Sequence, residues 1–532
     1  MTTGVGPRPT VTQREWRWAI FAALVVMALT CVPYLVAVAQ QDDALRFTGF
    51  LITADDGHSY LAKMAQGARG DWLYTSSYAA EPGRPALLFP FYLLLGHLTG
   101  PAWLTRILVF HVTRVAFGAA YLVAAYAWLA EFLPLVKQRR LGFGLLALGG
   151  GLGWLALLAG GAPALEDLPL DLYLPEAFSF LSLLTLPHLA AARLGLVLSL
   201  LAYRAGHAWR AGLALLGVAL LVPLYPLVAG SLLVAGEGYA LARSRFERAS
   251  LTAAAARLAA LLLPSAPYVM YVVTLSLLDP DLARFMDQNI LRSPAPWHFA
   301  LAYGPWLLAA AFGWRSLRRR EPELATLAVV WLALGIVLTY LPITTQRRLI
   351  DGYWLWLAPL AARGLSRIGR GSRLGRLVLP VLLVVTLPGP ALVWGGALGA
   401  ALARDPIAFI PSAQVAVFDW LVARAEPDAV VLASFQTGNR VPAFTPLRAV
   451  LGHGVETPDI SETERAVSAF YADALSPADR AGLLATGPID FVLWGPPERD
   501  LGPADPARWQ DLERLVEVEG YTVFAVRTHD VP

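Results

Sequence analysis

Trp18–Ala39 reads WAIFAALVVMALTCVPYLVAVA, a run of about 22 residues without a formal charge. A helix rises about 1.5 Å per residue, so this stretch is long enough to cross a hydrocarbon core of about 30 Å. Leu377–Ala403 repeats the pattern near the far end of the chain. The 532-residue sequence is 57% hydrophobic and only 15% charged, whereas soluble domains carry about 25% charge. These features predict an α-helical polytopic membrane protein. Cys31, the only cysteine, lies in the first stretch, which excludes an internal disulfide and a cysteine-based metal cluster. Arg8, Arg14, Arg17 and Ala37-Val38-Ala39 imitate a cleaved leader. The run exceeds the roughly 7–15 apolar residues of a leader, and the helix is expected to be retained.

Basic residues cluster between the apolar stretches: Arg8 to Arg17, Lys137/Arg139/Arg140, Arg204/Arg210, Arg243/Arg245/Arg248, Arg315/Arg318/Arg319/Arg320 and Arg363 to Arg376. Putting all of them on the cytoplasmic side predicts about eleven transmembrane helices in a multi-pass cell-membrane protein. The expected crossings are 18–39, 112–133, 141–160, 187–203, 211–225, 226–242, 256–278, 298–314, 324–341, 349–363 and 377–403. The N-terminus is then cytoplasmic and the C-terminus extracytoplasmic. Pro223-Leu224-Tyr225-Pro226 should break the 211–242 stretch. The 86–98 stretch is too short to span and is expected to be interfacial or re-entrant.

Beyond Arg404 the pattern changes. The tail from Asp405 holds 19 acidic and 9 basic residues against an overall charge of +3. Ala429–Ala433 and Asp490–Trp494 read as short buried strands, 461–474 and 476–485 as serine-capped helices, and 516–527 as a hairpin. The expected domains are a transmembrane domain over 1–404, with a first outer loop at 40–85, and a small soluble extracytoplasmic α/β domain over 405–532. The tail has no basic face with interleaved aromatics, so nucleic acid is not an expected partner. No phosphate-binding loop, dinucleotide fingerprint or Gly-x-Ser-x-Gly elbow supports nucleotide chemistry or serine hydrolysis.

The outer loops are acidic. The first holds Asp42, Asp43, Asp55, Asp56, Asp71 and Glu81, the second Glu166, Asp167, Asp171 and Glu176, and the third Asp279, Asp281 and Asp287. Asp55-Asp56 follow the first helix exit, with His58 and Tyr60 just after. Carboxylates are costly near lipid and tend to mark function there. One can accept a hydroxyl proton, and two together can also share a divalent cation. Asp55 can equally cap a helix over 56–67.

Asp55-Asp56, Tyr60, Gly70-Asp71-Trp72 and the proline-led Phe89-Pro90-Phe91-Tyr92 resemble the first outer loop of the GT-C superfamily. These are integral-membrane glycosyltransferases that use polyprenyl-phosphate sugars. The likeness covers roughly residues 18–400 in topology and about 40 residues in motif. It implies transfer of a sugar from a polyprenyl-phosphate donor to a glycan, lipid or protein acceptor at the outer membrane face. Asp55 and Asp56 are then the catalytic candidates. Arg347 and Arg348 break the positive-inside pattern and suit a donor phosphate, since guanidinium groups grip phosphate bidentately. Glu176, His188 and Arg193 join His58 and Tyr60 as further site candidates. Asp279 and Asp281 have the Asp-x-Asp spacing of a metal motif, so Mg or Mn is the cofactor to test, although the intervening proline suits a turn equally. His453 and Glu456 are candidates to line an acceptor cleft. Gln436–Pro442 is read as a loop. A transporter, a lipid flippase or a non-catalytic envelope scaffold are the competing readings.

Overall fold

The computed structural model describes residues 10–160, 168–223, 225–243 and 247–527. Arg8, Glu166, Asp167, Leu224 and Arg245 lie outside the described residues. The chain forms two compact units, one of Met1–Val32, Val112–Val273 and Leu291–Ala397, the other of Pro33–His111, Thr274–Ile290 and Leu398–Pro532.

The first unit is helical. In the chain as a whole, three described helices are long and apolar enough to cross a membrane: Gln13–Ala39, Trp103–Phe132 and Arg373–Ala403. Arg248–Leu262 and Ala266–Leu278 meet the same test as one pair bent by 62°. Helices Pro187–Arg204, Ala208–Leu221, Tyr225–Arg243, Pro296–Leu317, Pro322–Leu338 and Tyr353–Gly371 occupy most of the other expected crossings. The 141–160 stretch is divided into helices Val136–Leu148 and Trp154–Leu158. Its Gly149-Gly150-Gly151 run explains the break, because a Cβ on Gly149 would sit 2.5 Å from the Trp354 ring and one on Gly150 2.5 Å from Pro390. The chain there passes too close to its neighbours for a side chain.

Helices Pro296–Leu317 and Tyr353–Gly371 cross through small residues. A Cβ on Gly364 would stand 1.8 Å from the Ala309 carbonyl oxygen, and one on Gly313 2.0 Å from that of Leu360. Such close approach is how helices associate where apolar solvent supplies no hydrophobic drive. Trp128, Trp306, Trp331 and Trp356 fill the surrounding core.

The second unit is α/β. Strand β1 (Leu45–Phe47) pairs antiparallel with β2 (Phe409–Pro411). Strands β3 (Val430–Leu432), β4 (Arg448–Ala449), β5 (Ile489–Trp494), β6 (Leu512–Val518) and β7 (Tyr521–Val526) form a sheet of order β4-β3-β5-β7-β6. The β3 pairs are parallel and the others antiparallel. The strands near 430 and 490, the terminal hairpin and helices Ile460–Tyr471 and Pro477–Thr486 fall where the sequence puts them. Ser476 caps the second helix; Ser461 does not cap the first, which starts after Asp459 with no side-chain cap. The 436–442 run departs from the expected loop. It lies in a buried helix, Phe435–Phe444, whose Ser434 side chain accepts from the Thr437 N–H. The apolar core joins Phe50, Tyr78 and Phe110 to Phe418, Val431 and Phe444.

Candidate functional site

Asp55 and Asp56 occupy the first turn of helix Ala54–Ala68 in the second unit. Asp55 is not the cap. Thr53 takes that place in a left-handed conformation with φ 50°, and no side chain caps the helix. Gly57 permits this start, since a Cβ there would lie 2.3 Å from the Phe50 ring. Carboxylates near a helix N-terminus are favoured by the unpaired N–H groups.

Asp56 has half of its side chain exposed, and its Oδ1 lies 3.3 Å from His453 Nε2. The Nδ1 atom of His453 accepts the backbone N–H groups of Val455 and Glu456 at 3.4 and 3.2 Å. That leaves the ring proton on Nε2, facing the carboxylate. Burial lowers the affinity of His453 for a second proton, but Glu456 and Asp56 outweigh it and raise its pKa. The surrounding protein raises the pKa of Asp55, and Asp56 adds to the rise, with His453 and Arg440 opposing. The pair is therefore asymmetric, one carboxyl pushed toward protonation and the other held by an imidazole.

Behind it sits a buried ionic cluster. Lys63, one turn beyond Ser59 on the same helix, places Nζ 2.6 Å from Glu456 Oε1. Ser59 also donates to that oxygen, and the Tyr74 hydroxyl donates to Oε2 at 2.6 Å. Burial would raise the pKa of Glu456, but Lys63, His453 and these hydrogen bonds hold it at about 2. Lys63 also lies 4.4 Å from the centre of the Phe89 ring.

His58 is fully buried with Nδ1 2.6 Å from Asn439 Oδ1, and the Asn439 amide donates to the Asp55 carbonyl at 3.2 Å. Burial and nearby Arg440 push the His58 pKa down to about 3, so the ring is neutral and acts as a strut. Tyr60 stacks on Tyr92 with ring centres 4.3 Å apart, which brings the acid-pair segment against Phe89-Pro90-Phe91-Tyr92.

Asp279 and Asp281 have structural work in this unit. Asp279 Oδ1 accepts from the N–H groups of Asp281 and Leu282, capping helix Pro280–Gln288, and Asp281 pairs with Arg284. Among the described residues, no group of three His, Cys, Asp or Glu side chains is arranged to hold a metal ion.

Within the first unit, Arg347 and Arg348 lie on a short 3-10 turn, Gln346–Ile350. Arg347 donates to the Tyr173 hydroxyl at 3.3 Å, and its Nε is buried with no partner among the described residues. Arg348 is 44% exposed and 3.7 Å from Glu176. Arg193 is committed elsewhere. It grips Asp351 with two bonds of 2.9 and 3.1 Å and the Pro175 carbonyl at 2.6 Å. His188 sits half-buried in the first turn of helix Pro187–Arg204.

Lys63 and Asn439 were not among the residues singled out by sequence. The signal for Lys63 was present: the chain has 42 Lys and Arg residues, and only Lys63 and Lys137 are lysines. Asn439 carried none, because its role depends on a helix read as a loop.

No family model and no curated protein matches the chain. Solved structures do. The apo oligosaccharyltransferase of Archaeoglobus fulgidus superposes with a TM-score of 0.55 at 11% identity, covering 98% of this chain and 76% of that one. ArnT from Cupriavidus metallidurans bound to undecaprenyl phosphate superposes at 0.50 with 12% identity, over 97% and 98% of the two chains. The chain shares its fold with these two proteins. A second structure of the archaeal protein, in complex with Zn and sulfate, superposes at 0.54, with 12% identity over 89% of this chain and 67% of that one.

Proposed function

We propose that this protein is a membrane glycosyltransferase that moves a sugar from a polyprenyl-phosphate donor to an acceptor hydroxyl at the outer face of the membrane. The observation that carries the reading is the half-exposed Asp56 carboxylate held by His453, beside Asp55, in a chain that resembles the GT-C superfamily and shares its fold with ArnT. Asp56 accepts the proton of the acceptor hydroxyl as its oxygen bonds to the anomeric carbon. The bond from that carbon to the phosphate oxygen breaks, and the polyprenyl phosphate leaves with the negative charge. Arg347 and Arg348 are the residues we propose for a donor phosphate, since the buried Nε of Arg347 has no partner among the described residues. Undecaprenyl phosphate bound to ArnT supports this donor class.

The direct bonds from the 40–85 loop to residues 409–456 support one location for both, and the positive-inside pattern assigns it to the extracytoplasmic side. The test is transfer by reconstituted protein from a radiolabelled polyprenyl-phosphate sugar. Asp56→Asn should cut the rate about 10²–10⁴-fold while lipid-phosphate binding persists. Arg347→Ala should weaken donor binding instead. Undiminished transfer by Asp55→Asn/Asp56→Asn would remove the catalytic role.

A further inference from the structure

A cleft of ≈ 650 Å³ opens in the first unit between the start of helix Val136–Leu148 and the meeting of helices Tyr353–Gly371 and Arg373–Thr386. Lys137, Arg370 and Arg376 line it, with Leu141 and Leu379 on its apolar walls. Among the described residues no carboxylate lines it, and none of the three cations makes an ion pair. Several other basic groups in this unit do have partners. Arg139 pairs with Glu15 at 2.7 Å, Arg204 with Glu131 at 3.2 Å and Arg257 with Glu237 at 2.6 Å. Arg140 lies over the Trp18 ring.

Gln138 is a second, independent sign. It is more than nine-tenths buried, lines the same cleft, and its side-chain oxygen has no hydrogen-bond partner among the described residues. An unpaired buried carboxamide oxygen is costly unless something polar meets it. That oxygen is an acceptor, and a headgroup hydroxyl such as those of the glycerol in phosphatidylglycerol would donate to it.

We infer that this cleft is a binding site for the headgroup of an anionic phospholipid, with Lys137, Arg370 and Arg376 around the phosphate, Gln138 accepting from a headgroup hydroxyl and an acyl chain along the leucine wall. Leucine walls beside cations suit an amphiphile better than a free anion. Basic residues at this end of the helices place the site on the cytoplasmic leaflet, whose anionic lipids such pockets recognise. The inference is independent of the transfer chemistry.

Native mass spectrometry of the full-length protein, with phosphatidylglycerol, phosphatidylcholine or inorganic phosphate added, tests it. Phosphatidylglycerol should be retained at least tenfold more strongly than phosphatidylcholine. Removing each charge should weaken retention about fivefold, so Lys137→Gln/Arg376→Gln loses most of it. Arg370→Gln alone provides the reading if the double variant does not fold, and Arg508→Gln, whose side chain is 84% exposed, should change nothing. Equal retention of the two lipids, unchanged retention in the charge variants, or a response to inorganic phosphate as strong as to lipid would each overturn the assignment.

Discussion

Replacing Lys63 with methionine keeps the length of the side chain and removes its ammonium. The Glu456 carboxylate, 5% exposed, would remain buried with only hydroxyls and His453 around it. Breaking a buried pair in this way costs about 3–5 kcal/mol. For a compact unit of this size each kcal/mol moves the melting temperature by about 2–4 °C, so Lys63→Met should melt roughly 6–20 °C lower. Lys63→Met/Glu456→Gln removes the orphaned charge as well and should recover more than half of that loss. The pH dependence has a defined sign. Glu456 has its pKa depressed to about 2 from the ordinary 4.5, so its stabilisation is complete above pH 4.5 and is lost as pH falls toward 2. Without Lys63 its carboxyl titrates higher, closer to the unfolded value or above it, so the variant loses less stability than wild type as pH falls toward 3. Differential scanning fluorimetry of detergent-solubilised protein from pH 7 to 3 measures both effects. A Lys63→Met variant that melts within about 2 °C of wild type, or a double variant that melts below Lys63→Met, would refute the buried-pair argument.

Two further outcomes follow from packing. Gly364→Leu drives a side chain into the Ala309 carbonyl, so helices Pro296–Leu317 and Tyr353–Gly371 cannot close, and the yield of monodisperse protein by size exclusion should collapse; wild-type yield would contradict the crossing. Asn439→Leu strands the His58 Nδ1 hydrogen in an apolar pocket at a cost of about 1–3 kcal/mol, read as a lowered melting temperature together with slower sugar transfer, and unaltered melting would show that the strut carries no load.

The helical part was legible because lipid imposes one rule on every crossing, a long apolar run, and the sequence shows it directly. The breaks were less so. Gly149–Gly153 reads as continuing an apolar stretch, and only contact with Trp354 and Pro390 explains why the helix stops. In the second unit, the strands declared themselves by short β-branched runs, whereas Phe435–Phe444 holds Gly438 and Pro442 and looks like a loop by propensity. Its burial and the Ser434 cap outweigh those residues. Asp55 and Asp56 were visible as a pair. Their asymmetry was not, since His453 and Glu456 lie almost 400 positions away and nothing local to either segment announces the partner.

That separation has a consequence for biogenesis. Glu456 is made 393 residues after Lys63. At about 5–20 residues per second a ribosome needs roughly 20–80 s to cover the distance. Throughout that interval the helix 54–68 presents Lys63 and Ser59 on a face meant for the interior, and β1 waits for β2. The early segment cannot mature on its own schedule. Its folding is postponed until residues 409–456 have emerged, and protection of the 40–85 segment from protease during synthesis would serve as a clock for the arrival of that later segment.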